Sequence, residues 1–206
     1  MLLSVDNLSV SRGGISLFEG LNFTVSTGEF VLINGGNGVG KTSLLRSIAG
    51  LQPIDKGKIA INADNFIFAG DANGIKTALT VLENLRFWSA IFGGKHLNEA
   101  LEKFHLNNLK NRFAGKLSAG QKRRLSLARL LLTDRPIWLL DEPTVSLDKR
   151  SMKQFSKILK NHLEAGGAAV VASHIDLGLT LSSLSINLED YQIKNGNINA
   201  SAKAFL

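Results

Sequence analysis

The run Gly35-Gly36-Asn37-Gly38-Val39-Gly40-Lys41-Thr42 constrains the fold of this chain more than any other feature. It fits G-x-x-x-x-G-K-[ST], a pattern that chance places in about one chain of this length in a hundred. Its flanks agree with it. Phe30–Asn34 reads as a strand, and Lys41–Ile48 has a helical pattern stopped by Gly50. A loop that binds phosphate needs both: glycine N–H groups converge on the phosphate oxygens, and the helix N-terminus adds about half a positive charge. Lys41 would then reach the β- and γ-phosphates and the Thr42 hydroxyl a Mg²⁺ ion. The plain alternative, a glycine-rich turn before a capped helix, explains less of this context.

Composition sets the frame. A chain of 206 residues predicts one domain, with room for a small inserted lobe, large enough to bury about 70% of its unfolded surface. The absence of cysteine excludes a disulfide framework, a thiolate metal site, a c-type haem attachment motif and a cysteine nucleophile. No apolar run reaches the ~18 residues of a membrane span; the best stretches, 165–173 and 177–188, are separated by His174 and Asp176. The first residues lack a basic leader, so no secretory signal is expected and the chain is expected to stay in the cytosol. The net charge of +7 permits a nucleic-acid or membrane-surface partner and selects neither.

Strand-like runs at 2–10, 21–25, 58–61 and 65–69 surround the loop, with a Thr27-Gly28-Glu29 turn before Phe30. Near Thr80 the period changes. Thr80 and Glu83 form a T-x-x-E capping box, and Val81, Leu85, Trp88 and Phe92 recur at helical spacing. Helical, charged sequence runs to about Thr133. Beyond it come a bare apolar strand at 137–140, a helix at 149–163, a buried strand at Ala168–Ala172 and one more strand at 184–188. Strands alternating with helices predict an α/β fold with a parallel sheet, and 76–133 as a helical lobe inserted in it.

The run Ile137-Trp138-Leu139-Leu140-Asp141-Glu142 ends an apolar strand in two carboxylates. Downstream of a phosphate loop, Asp141 is placed to hold Mg²⁺ through water and Glu142 to polarise an attacking water as general base. Leu117-Ser118-Ala119-Gly120-Gln121 reads locally as an S-x-x-Q capping box, and a Ser-capped helix N-terminus beside a glycine is also a phosphate site. Together with the two motifs around it, LSAGQ resembles the signature of ABC-transporter ATPases, which in that family binds the γ-phosphate of ATP held by the opposite subunit. The resemblance covers the whole chain. It implies a P-loop NTPase with a parallel-sheet core, an N-terminal antiparallel β subdomain and an inserted helical subdomain, in one nucleotide-binding domain over 1–206. It also implies a D-loop at Ser146-Leu147-Asp148 that crosses a dimer interface, and a switch histidine at His174. His96, His105 and His162 are expected to be solvated or core residues.

Two positions depart from the family pattern. Many members stack adenine on an aromatic near the N-terminal strands, where this chain has Ser11-Arg12-Gly13; Arg12 could stack through its guanidinium. The glutamine expected after the 65–69 strand, which senses Mg²⁺ and couples to the membrane subunit, aligns with Ala72, whose side chain neither donates nor accepts. Either Asp71 or Asn73 substitutes after a small shift, or coupling to the membrane subunit is altered.

The stretch Gly74-Ile75-Lys76-Thr77-Ala78-Leu79-Thr80-Val81-Leu82-Glu83-Asn84-Leu85-Arg86-Phe87 is similar to the G-I-K-T-x-L-T-x-x-E-N-L-x-F segment of the haem-exporter ATPases of bacterial cytochrome c biogenesis. That resemblance implies two copies closing head to tail on ATP and Mg²⁺. It also implies integral-membrane permease partners and a peripheral position on the cytoplasmic face of the inner membrane. Another transporter subfamily is the first alternative. A non-transport ATPase acting on nucleic acid or ribosomes is the second, invited by the +7 charge and by Lys122-Arg123-Arg124. That cluster is expected to form a solvated face, and no long insertion or second ATPase domain is present, so no nucleic-acid partner is expected. A degenerate ATP-binding scaffold, suggested by Ala72, fits poorly with intact Lys41, Asp141, Glu142 and His174.

Overall fold

The structure is a computed structural model and describes residues 1–70, 74–93, 95–173 and 183–192. The chain opens with β1 (Leu3–Arg12) and β2 (Ile15–Val25), then β3 (Phe30–Asn34) and α1 (Lys41–Ile48). It continues with β4 (Lys56–Ile61) and β5 (Phe66–Ala69), followed by α2 (Val81–Phe92), α3 (Leu97–Lys103) and α4 (Ala119–Ala128). β6 (Ile137–Asp141), α5 (Lys149–Glu164), β7 (Ala168–Ala172) and β8 (Ser183–Asn187) complete the described elements.

Two sheets form. β2, β1 and β4 make an antiparallel three-stranded sheet. The other sheet has five strands, all parallel, in the order β5-β6-β7-β3-β8. The first hairpin is longer than the sequence pattern predicts: the strands at 2–10 and 21–25 are parts of β1 and β2, which turn at Gly13 and Gly14. Both glycines have positive φ, 61° and 80°, as a tight hairpin between right-twisted strands requires. Gly20, just outside the 21–25 run, lies inside β2 beside an irregularity in the register between Leu8 and Val10.

Side chains of the parallel sheet alternate between two cores, as a period of two dictates. Ile137, Leu139, Ala168, Val170, Val31 and Ile33 join a cluster with α1 and the antiparallel sheet. Trp138, Leu140, Ala169, Val171 and Phe30 face the opposite cluster, with α5 and residues of α2, α3 and α4. The helices after β3 and β6 therefore leave the same end of the sheet toward opposite faces. This divergence opens a crevice at the carboxyl ends of the strands, the usual place for a ligand in such a sheet.

The helix starts follow the local chemistry. Thr80 caps α2: its Oγ1 accepts the Glu83 N–H at 3.2 Å, and Glu83 Oε2 accepts the Thr80 N–H at 2.7 Å. Ser118 and Gln121 make the same reciprocal pair at α4, at 3.3 and 3.0 Å. Asp148 caps α5 by accepting the Ser151 N–H at 2.7 Å. The helical sequence up to Thr133 is interrupted rather than continuous, and its last turn, Arg129–Leu132, is a tight 3-10 helix.

Candidate functional site

The loop after β3 and the end of β6 meet at the crevice. Gly40 turns into α1 with φ 110°, a left-handed conformation suited to glycine, so that Lys41 and Thr42 form the first helical turn. The loop is preset. Lys41 is 7% exposed, and its Nζ donates to the Gly35 and Gly36 carbonyls at 2.7 and 3.0 Å. Asp141, 1% exposed, accepts the Thr42 hydroxyl on Oδ2 at 2.8 Å. A cleft of about 260 Å³ is lined here by Arg12, Leu17, Asn37, Gly38, Gly40, Lys41, Thr42, Ser43, Asp141 and Glu142. It joins residues from the first hairpin, the glycine loop and the end of β6. Arg12 lies on the cleft wall, and so does Leu17, an apolar neighbour that the sequence pattern did not single out.

Gly35 and Gly36 gain a further anchor from the far end of the chain. The Gly36 N–H donates to Glu189 Oε1 at 2.8 Å, from the turn that follows β8. Nothing in the sequence marks Glu189, because the contact exists only once β8 pairs with β3.

The signature segment lies in a second recess of about 350 Å³, lined by Ser118, Gly120, Gln121, Arg124, Ser146, Leu147, Asp148 and Ser151. Leu117 is buried while Ser118 and Ala119 are exposed. Gly120 packs against the backbone of the following turn: a Cβ at that position would come 2.7 Å from the Ser146 carbonyl oxygen. Ser146 itself has φ 67°. The structure thus brings Leu117, Ser118, Ala119, Gly120 and Gln121 beside Ser146, Leu147 and Asp148, away from Lys41 in the same chain. His174, Ala72, Asp71 and Asn73 lie outside the described residues.

The expectation of a solvated face at Lys122-Arg123-Arg124 fails for Arg123, which is 4% exposed. The helix turns its side chain inward, where backbone carbonyls receive it. Arg124 donates to the Phe104 and His105 carbonyls at 3.1 and 3.2 Å. The nearby Arg129 is also buried, and burial, then the Arg123 charge, pull its pKa down to about 10. His162 is a packing residue: its ring stacks on Trp138 at 3.8 Å between centroids, and burial lowers its pKa.

The ABC transporter family model matches residues 18–145, which include the glycine loop, the signature segment and the Asp141-Glu142 pair. The cytochrome c biogenesis ATP-binding export protein CcmA of Paracoccus denitrificans is 56% identical over 86% of this chain and 85% of its own length. The chain belongs to the ABC transporter family, on its CcmA branch. Among solved structures, an ABC transporter ATP-binding protein from Pyrococcus furiosus superposes with a TM-score of 0.80 at 27% identity, over 92% of this chain and 98% of that one. A bacterial ABC transporter cassette in a dimeric structure gives 0.75 at 25% identity, over 89% and 94%. As in other ABC ATPases, the fold is α/β, with a parallel core and an antiparallel sheet. Among the described residues, no helix is long and apolar enough to cross a membrane.

Proposed function

We propose that this chain is the ATP-hydrolysing subunit of the haem exporter complex in bacterial cytochrome c biogenesis. It works as a head-to-tail dimer on the cytoplasmic face of the inner membrane, with integral-membrane permeases as partners. The observation that carries this reading is the 56% identity with a CcmA export protein over most of both chains, joined to an intact phosphate cleft.

In this reading one ATP occupies the cleft. Backbone N–H groups from Gly38 to Thr42 bind its phosphates at the α1 N-terminus, Lys41 turns from the loop carbonyls to the β- and γ-phosphates, and Arg12 with Leu17 receives the base. Thr42 and Asp141, 2.8 Å apart, are hard oxygen donors of the kind Mg²⁺ takes and would hold it through the hydroxyl and the carboxylate. Bound there, Mg²⁺ neutralises charge on the β- and γ-phosphates. Glu142 orients the attacking water and accepts its proton, with His174 contacting the γ-phosphate. Ser118 and the rest of the signature in the partner copy close over the same phosphate, and Ser146-Leu147-Asp148 crosses the interface. Closure moves the permeases, and hydrolysis releases the dimer. Residues 76–133 act as the helical subdomain in a single nucleotide-binding domain of 1–206.

Isolation of the protein from native membranes with ATP tests this assignment. It should co-purify polytopic permease subunits, and disruption of its gene should abolish c-type cytochromes. Normal c-type cytochrome content in the disrupted strain would overturn the haem-export assignment.

A further inference from the structure

Arg123 connects two parts of the molecule that hydrolysis must coordinate. It sits on α4, the helix whose N-terminus is capped by Ser118. Its guanidinium is satisfied by main-chain oxygens: Nε donates to the Pro143 carbonyl at 3.1 Å and Nη1 to the Gly70 carbonyl at 2.8 Å. Nη2 donates to the Asp141 and Glu142 carbonyls, each at 2.8 Å. One of these oxygens belongs to the last residue of β6 and two to the turn that leaves it, and the fourth to the residue after β5.

That turn is strained. Glu142 has φ 45°, a left-handed conformation that a side chain bearing Cβ adopts at a cost and keeps only where its surroundings over-determine it. A guanidinium suits the task, because its rigid fork presents several donors at fixed angles. A lysine ammonium in the same place has three donors around one atom and cannot span the same oxygens.

We propose that Arg123 is a positioning residue for ATP hydrolysis: it holds the backbone of Glu142 in its strained conformation and so aims that carboxylate at the attacking water. This rests on the reading of Glu142 as the general base. Because Arg123 and Ser118 share α4, a shift of that helix when the partner's ATP engages Ser118 is transmitted to the Glu142 carbonyl. Hydrolysis is thereby tied to closure through one buried side chain.

The test compares Arg123→Lys, Arg123→Met, Glu142→Gln and the Arg123→Lys/Glu142→Gln double variant of the full chain, by steady-state hydrolysis, ATP binding and thermal melting. Arg123→Lys should lower kcat about 10- to 100-fold, the loss expected when a catalytic group is misplaced by about 1 Å. KM and ATP affinity should stay within about twofold, since the phosphate loop is untouched. In the Glu142→Gln background the same change should cost nothing further, because the group it positions is already gone. Arg123→Met removes the guanidinium donors, the Glu142 carbonyl keeping only the Val145 N–H at 3.2 Å, and should melt lower; the lysine variant keeps the test valid if the methionine variant does not fold. An unchanged kcat in Arg123→Lys overturns the proposal. So does a loss of kcat in step with ATP affinity and melting temperature, or an additive loss in the double variant. Wild-type turnover in Glu142→Gln would overturn the general-base reading itself, whatever Arg123 does.

Discussion

Lys41 and Gly120 illustrate two ways in which one residue commits a site. Lys41 is held by the Gly35 and Gly36 carbonyls, so its ammonium is already in the cleft before any phosphate arrives. Lys41→Ala should weaken ATP binding by more than tenfold and, by freeing the Gly35 and Gly36 carbonyls, lower the melting temperature slightly, as titration of a fluorescent ATP analogue beside a thermal melt would show; wild-type affinity would refute the role of the loop. At Gly120 the constraint is space. The Ser146 carbonyl stands where a Cβ would have to go, and overpacking of this kind costs about 1–3 kcal/mol. Gly120→Ala should therefore displace the Ser146 turn and depress hydrolysis more than ATP binding by the isolated chain. These residues stand out in the sequence because the glycine-loop and capping-box patterns are written in consecutive positions. Arg123, Leu17 and Glu189 do not. Each acquires its role from a partner far away in the chain, and an inward-turned arginine between Lys122 and Arg124 has the same local pattern as a solvated one.

Capping chemistry fixes where the helices start and gives the protein a pH dependence. The starts of α2 and α4 were legible because Thr80–Glu83 and Ser118–Gln121 satisfy their own backbone donors within one turn. The β1–β2 hairpin was less so, since Gly20 mimics a strand end and only the pairing with β1 shows it to be internal. Several carboxylates at helix starts and in surface ion pairs lie below their ordinary pKa. Glu83 is lowered by the Thr80 N–H and hydroxyl, and Asp148 by the Ser151 backbone and side chain. Glu99 is lowered chiefly by Lys103 and Asp134 chiefly by Lys95, with His96 contributing to both. Groups with depressed folded values stabilise the protein above the ordinary carboxylate pKa, and that contribution is lost as pH falls through the folded values. His162, lowered by burial, acts earlier: the unfolded imidazole takes its proton first, so stability begins to fall below about pH 6.5. Thermal melts from pH 8 to 3 should show a plateau above about pH 6.5, a shallow decline below it and a steep one below about pH 4.5. His162→Asn should remove the shallow limb alone; a melt independent of pH over this range would contradict the assignment.

At the scale of the whole molecule, the apolar runs announced a parallel sheet because β6 and β7 are buried on both faces, and such strands show no polar alternation. Strand order was not announced: β3 pairs with β7 and β8 across most of the chain's length, and no local pattern encodes that. The order matters for function, since it places the glycine loop and the Asp141-Glu142 pair at one crevice while Ser118 opens onto a separate recess. In a single copy the glycine-loop cleft and the Ser118 recess are therefore separate. Two copies related head to tail would complete two sites. This head-to-tail pairing is tested by the solution mass of the Glu142→Gln variant, measured by light scattering on gel filtration with ATP and Mg²⁺ and again without nucleotide. The variant should be a dimer with ATP and a monomer without it, the dimer being lost when Ser118 is also replaced by arginine. A variant that binds ATP and stays monomeric would contradict it.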